Sequence, residues 1–387
     1  MTLTNASVDR DLVTQLTREL IRFQSVNPPG NEAPVAQHLA GRLEEMGIEV
    51  DLDEAEPGRA NLVARIRGEG DGHLVFTGHL DVVPPGSQKW QHEPFAADLE
   101  GGRIYGRGSA DMKGGVASIV AAMDALKQSG FRPKADVVLA ATYGEEQGLA
   151  GARAMAARKS LAGARYLVVA EPTDLNVFIG EKGVLWVTVR ALGRTGHGSM
   201  PWLGVNAISY MARLIPRLEE YPFPFEESEL LGKPTLSVNM IQGGNKSNVV
   251  PDVCEITLDM RTVPSQGHRD IIERLRSVAE DAAREFHPDL RVEIDVIEDV
   301  GPLETERTEP LVEAMLASVE AVRSAPRVEG VPYATDAAYL GPGFSIPMVI
   351  CGPGTLGVMH QPDEYTEVEQ LVQAAEIYVD LTQRLLS

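Results

Sequence analysis

The sequence predicts an α/β protein, a mostly parallel sheet with helices on both faces, interrupted by a smaller α+β domain. Three observations carry this. Short apolar runs alternate with helically spaced segments over residues 1–180, as in a sheet covered on both faces. From 181 to 298 the order becomes β-α-β-β-α-β with half-exposed strands, the split βαβ (ferredoxin-like) layout. Residues 299–387 return to the first style, so the second domain is inserted into the first.

Each element has a local reason. Residues 8–24, "VDRDLVTQLTRELIRFQ", place apolar side chains at helical spacing, and "NPPGN" ends the pattern. "EAPVAQHLAGRLEEMG" is a second helix leading into the short strand "IEVDLD". The strands "NLVARI" and "HLVFTGHLD", the helix "MKGGVASIVAAMDALKQSG" and the strand "ADVVLAATY" follow. A helix near 151–158 and the strand "RYLVVAEP" complete the alternation. In the insertion, "GVLWVTVRALG" alternates like a strand with one wet face, and a helix covers roughly 204–219. The strands "PTLSVNMIQGG" and "DVCEITLDMRTV", the helix "HRDIIERLRSVAEDAAREF" and the strand "LRVEIDVIE" close it. "PLVEAMLASVEAV", "IPMVICG" and a helix from 367 finish the chain.

Bulk properties exclude several functions. A chain of 387 residues is too long for one ordinary core. With 43% hydrophobic and 24% charged residues it reads as globular and soluble. Lys plus Arg total 35 against 56 for Asp plus Glu, a formal charge of -21, which argues against a nucleic-acid partner. The surplus serves solubility, and bound cations would offset part of it. Cys254 and Cys351 stand alone, so neither a disulfide framework nor a thiolate metal site is expected, and a reducing compartment is. The amino-terminal stretch "MTLTNASVDRDLVTQL" lacks a signal pattern and no apolar run reaches membrane-spanning length, so the expected location is the cytoplasm.

Five polar stretches fall where strands of the α/β part should end: "GHLD" (78–81), "GRGSADMKGG" (106–115), "GEE" (144–146), "AEP" (170–172) and "GVMHQPDEY" (357–365). Ligands of open α/β sheets bind outside the carboxyl ends of strands, so these stretches should converge. They bring His79, Asp81, Asp111, Glu145, Glu146, Glu171 and His360. Five carboxylates in one crevice repel unless cations sit among them, and imidazole with carboxylate suits zinc, cobalt or manganese. Singly, each has a plainer role. His79 or His360 would be an ordinary hydrogen-bonded histidine, and Asp111 a helix cap. Glu145 and Glu146 would be a solvated pair, and Glu171 a turn acid. "GRGSADMKGG" lacks the ending of a phosphate-binding loop.

"FTGHLDVVP", "YGRGSADMKGG", "GEEQG", "AEPT" and "HQPDEY" resemble, in order and along essentially the whole chain, the zinc-dependent family of aminoacylase, acetylornithine deacetylase, succinyl-diaminopimelate desuccinylase and carboxypeptidase G. The resemblance implies a zinc-peptidase-like catalytic domain with an inserted dimerisation or lid domain. It implies two divalent ions: His79 and Glu171 on one, Glu146 and His360 on the other, and Asp111 bridging. It also implies a cis peptide at Asp111–Met112. Asp81, two residues beyond His79 on an extended strand, is placed to orient its imidazole. Glu145 would stay unligated and act as general acid/base toward a water made acidic by the cations.

From the insertion, "GRTGHGSMP", "NKSNVVPD" and "DMRTVP" supply His197, Asn248 and Arg261. As ordinary loop residues they would belong to an oligomerisation platform. In the resembled family the histidine reaches a neighbouring subunit's site, which implies a homodimer, while the Asn and Arg contact substrate. A planar guanidinium suits a carboxylate. "GRTGHGSMP" has Gly where that family commonly has Ala or Ser after the histidine. "PYATDAAYLG" puts Asp336 on a glycine-flanked segment, either facing the crevice to meet a distal ammonium or capping a helix. The expected substrate is an N-acyl amino acid of acetylornithine type. Succinyl-diaminopimelate, a glutamate-type carboxypeptidase or dipeptidase substrate, and a non-catalytic binding protein on the same fold are the alternatives.

Overall fold

The structure, a computed structural model, describes residues 6–324 and 326–387. Residues 1–5, part of the amino-terminal stretch that lacks a signal pattern, lie outside the described residues. The chain divides into two compact units. One comprises residues 1–179, 305–329 and 335–387; the other comprises 180–304 and 330–334. Among the described residues no helix is long and apolar enough to cross a membrane.

The first unit adopts the expected α/β class. Its sheet is parallel at the centre, where His73–His79 lies between Asp136–Thr142 and Ala164–Val169, with Met348–Ile350 parallel beyond. Every residue of Asp136–Thr142 is buried, which explains its unbroken apolar run. On one flank, Glu49–Glu56 and Arg59–Ile66 form an antiparallel hairpin turning at Gly58. Its outer strand has only exposed and half-buried positions, as suits a sheet edge. Helix Lys113–Gln128 starts beside the carboxyl end of the sheet. Gly115 permits this approach, since a Cβ there would stand 2.2 Å from the Ala170 carbonyl oxygen.

The second unit is a four-stranded antiparallel sheet in the order Thr235–Gly243, Val253–Thr262, Gly183–Leu192, Arg291–Val300. Helices Ala207–Glu219 and His268–Phe286 supply Tyr210, Leu214, Leu275 and Ala279 to a core shared with Leu185, Val187, Val189, Ile256 and Leu258. Alternate residues of Val253–Thr262 are buried, the period of a strand with one dry face. The unit ends six residues beyond the expected boundary at 298, because the strand through Asp299 and Val300 continues pairing with Gly183–Leu192. It also takes in residues 330–334, remote in sequence and without periodic signal.

Candidate active site

Three parallel strands ending at one edge of the first unit's sheet position most of the site. His79 is the last residue of its strand, in register with Thr142. The turn carrying Glu145 and Glu146 follows Thr142 directly, and Glu171 stands two residues beyond strand Ala164–Val169. Asp111 immediately precedes Met112, the residue at the head of helix Lys113–Gln128, and the Asp111–Met112 peptide is cis. The Asp111 side chain caps nothing; it points to two histidines.

Asp111 Oδ1 lies 2.9 Å from His79 Nε2, and its Oδ2 lies 3.0 Å from His360 Nε2. Glu171 Oε1 is 3.4 Å from His79 Nε2, and Glu146 Oε1 is 3.2 Å from His360 Nε2. The donors thus form two groups, His79–Asp111–Glu171 and Asp111–Glu146–His360, each with its atoms within 4.8 Å of one another. The first is buried; His360 keeps 46% of its side chain exposed. His360 sits at φ 61°, a left-handed conformation that costs a non-glycine residue of order 1 kcal/mol and recurs at functional sites.

The donor chemistry fits two divalent cations. His79 Nδ1 lies 3.0 Å from the Asp81 carbonyl oxygen, which can only accept, so that nitrogen carries a proton and Nε2, the nitrogen facing Asp111 and Glu171, is the one that would bind a metal. Glu171 Oε2 is buried with no hydrogen-bond partner. Burial opposes charge on His79, yet contacts with Asp111, Asp81 and Glu171 hold its proton affinity well above normal. Contacts with Asp111 and Glu146 outweigh burial at His360 and lift it to about 10. Burial, joined by repulsion from Asp111, pushes Glu171 up to about 7. A pocket that attracts protons this strongly has the field that attracts metal ions.

Asp81 has a wider role than orienting an imidazole. Its carboxylate stands 3.5 Å from His79 Nδ1, farther than its own carbonyl. It accepts the backbone N–H of Glu145 and of Glu146, each at 3.1 Å, and the Asn27 side-chain amide at 2.8 Å. Asp81 therefore ties the end of the His79 strand to the Glu145–Glu146 turn. Burial raises the pKa of Glu145 well above the carboxylate range; His79 opposes this, and Glu171, Glu146 and Asp336 add to it.

Asp336 departs from the expectation that it faces a crevice. It is 2% exposed, its Oδ2 accepts the Thr142 hydroxyl, and its Oδ1 has no hydrogen-bond partner. It stands at the head of helix Ala337–Phe344 without capping it. Burial raises it to about 6 despite the Thr142 hydrogen bond.

His197, Asn248 and Arg261 belong to the second unit. His197 and Asn248 lie at adjacent edges of a two-stranded ribbon in which His197 pairs with Val249. The Ser199 N–H donates to His197 Nδ1 at 3.2 Å, which places the ring proton on the exposed Nε2. The Arg261 fork is occupied by Asp259, with Nε–Oδ1 at 2.8 Å and Nη2–Oδ2 at 3.1 Å, because residues two apart on a strand share a face.

Three supports escaped sequence reasoning: Asn27 beneath Asp81, the pair of buried Glu32 with half-buried Arg59, and the buried Arg107–Glu364 pair. Arg59 backs the Glu145–Glu146 turn, since a Cβ on Gly144, at φ 67°, would lie 2.7 Å from its Nη2. Their only signals were a double proline after Asn27 and an acid closing "HQPDE".

Residues 75–384 match the family described as peptidase family M20/M25/M40. The chain belongs to this family. An acetylornithine deacetylase of Aliivibrio salmonicida is 32% identical over 343 residues, covering 86% of each chain. A probable succinyl-diaminopimelate desuccinylase of Staphylococcus aureus is 27% identical over 402 residues, covering 96% of this chain and 97% of that one. A tripeptidase structure from Staphylococcus aureus superposes with a TM-score of 0.81 at 22% identity, over 97% and 98% of the two chains, and so shares the fold. The M20 chain is a hydrolase acting on amides, and its family implies a dinuclear metal centre.

Proposed function

We propose that the chain is a dinuclear metal-dependent amidohydrolase that removes the acyl group from the α-nitrogen of an amino acid, with acetylornithine-type substrates foremost. The observation that carries the reaction is Asp111, whose two oxygens serve two donor groups beside an unligated Glu145. Acetylornithine deacetylases at 32% identity and succinyl-diaminopimelate desuccinylases at 27% and 28% both support N-acyl amino acids as the substrate class.

His79, Asp111 and Glu171 would hold one ion and Asp111, Glu146 and His360 the other, with zinc the expected metal and cobalt or manganese also suited. Bound divalent ions would supply Lewis-acid polarisation of the amide carbonyl and a lowered pKa for adjacent water. Glu145 takes a proton from the attacking water as its oxygen bonds to the carbonyl carbon. It then delivers that proton to nitrogen as the C–N bond breaks, and the products are a carboxylic acid and an amine. Asp81 keeps Glu145 in place through the backbone. Asp336 is too enclosed to meet a substrate's ammonium.

His197, with Nε2–H outward, would steady the developing oxyanion in a neighbouring subunit, and Asn248 would contact the same substrate. Met240 and Ile241, 67% and 58% exposed on the edge strand Thr235–Gly243, support a homodimer built on the inserted unit. Sedimentation of the full chain as a dimer is expected; a monomer at working concentration defeats that part. Arg261, released from Asp259, would grip the substrate carboxylate. Arg261→Lys should raise KM several-fold for substrates with a free α-carboxylate, and equal KM removes the assignment. Two buried, unpaired cysteines agree with a cytoplasmic setting, which cell fractionation tests.

The deciding experiment is product analysis of metal-reconstituted protein with acetylornithine, succinyl-diaminopimelate and a set of dipeptides. Fastest release of acetate supports the reading. Preferred cleavage of the succinyl compound or a dipeptide replaces it with the corresponding alternative, and cleavage of none ends it.

A further inference from the structure

We propose that Glu364 is a positioning residue for the dinuclear site, a clasp that holds Asp111 between the two donor groups with help from Thr366. The inference rests on the metal-hydrolase reading and adds a residue that contacts no reacting atom. Glu364 is fully buried. Its Oε1 accepts three backbone N–H groups of one loop: Gly108 at 2.9 Å, Ala110 at 3.0 Å and Asp111 at 3.2 Å. Its Oε2 accepts the Arg107 guanidinium. Its backbone carbonyl accepts Gly106 N–H at 2.8 Å, and Thr366 Oγ1 donates to the Ser109 carbonyl at 2.7 Å. Loop residues 106–111 are thus held to one strand segment almost residue by residue.

The same segment carries His360 four residues earlier. Between them Asp363 Oδ1 accepts the N–H groups of Gln91 and His92, at 2.8 and 3.0 Å. The segment then pairs Tyr365 with Tyr105 and Thr366 with Ile104. One stretch therefore delivers a ligand of the second donor group and fixes the backbone of the ligand common to both. The geometry explains why Glu rather than Gln stands here. All four side-chain partners are donors, so an amide would turn its NH2 toward either the loop N–H groups or the guanidinium. Charge-assisted acceptance from several N–H groups also gives the loop a single well-defined position.

The test is titration of Co2+ into chelator-treated full-length protein, followed by its visible absorption, with thermal melting of the metal-free form alongside. Glu364→Gln should bind Co2+ about 10- to 100-fold more weakly, the range for residues that orient metal ligands, and should alter the absorption bands. A merely structural role would lower the melting temperature and leave affinity and bands unchanged, which overturns the proposal. If Glu364→Gln does not fold, Thr366→Val removes only the Ser109 tether. It should weaken Co2+ binding several-fold, and wild-type affinity in that variant overturns the clasp. Failure of the wild-type protein to take up Co2+ at all would sink the metal-hydrolase reading instead, so the two failures are separable.

Discussion

Glu145→Gln is expected to reduce kcat by about 10²- to 10⁴-fold, the usual contribution of a positioned acid/base, while metal content stays near that of the unaltered protein. The substitution is isosteric and spares every contact that builds the turn. The Glu145 N–H still donates to Asp81, and Gly144 still packs against Arg59. Neither donor group includes Glu145, so stoichiometry should not change. Only the capacity to take up and return a proton is lost. In the metal-free protein burial, joined by Glu171, Glu146 and Asp336, lifts the Glu145 pKa, and His79 moderates the shift. Burst-free steady-state kinetics with metal analysis on the same sample makes the check. Undiminished turnover removes Glu145 from the chemistry, and lost metal would reassign it as a ligand.

Removing the metals is expected to abolish hydrolysis, with recovery on adding Zn2+, Co2+ or Mn2+. Asp111→Ala should be irrecoverable because that residue serves both donor groups. Stability should respond with a definite sign. Glu171 and Asp336, at about 7 and about 6, hold protons in the folded protein that the unfolded chain has already released. His360, at about 10, does the same above the ordinary histidine range. Wherever the folded state binds more protons, stability falls as pH rises. The metal-free protein should therefore melt at progressively lower temperature from about pH 5 to 7, above which buried Lys113, lowered to about 7, works in the opposite sense. Divalent ions take over from those protons, so added metal should stabilise most at the alkaline end and little near pH 5. At 100-fold excess over Kd the gain is about 2.7 kcal/mol per site, a readily measured shift in Tm. Melting that is independent of metal across that range, with full activity under a strong chelator, contradicts the site.

The two kinds of knowledge separate along particular residues. "ADVVLAATY" reads as a buried strand from composition, and the acids after it follow by adjacency, so His79, Glu145, Glu146 and Glu171 were legible at a common sheet edge. The inserted unit was legible for the same reason: alternation of period two and helical spacing are properties of neighbours in the chain. Its limits were not, because residues 330–334 join it with no local pattern.

Residue order was thus enough for the elements, their order, the ends at which chemistry collects and the donor types gathered there. Only tertiary structure decided which groups face one another. It buried Asp336 under Thr142, occupied Arg261 with Asp259, and spent the Asp81 carboxylate on the Glu145–Glu146 turn. It also set Glu364 against the loop of Asp111, across more than 250 positions of chain. The physical reason is range. Helix and strand periodicity arise from backbone geometry within a few residues, whereas a hydrogen bond between distant segments depends on how packed elements place them.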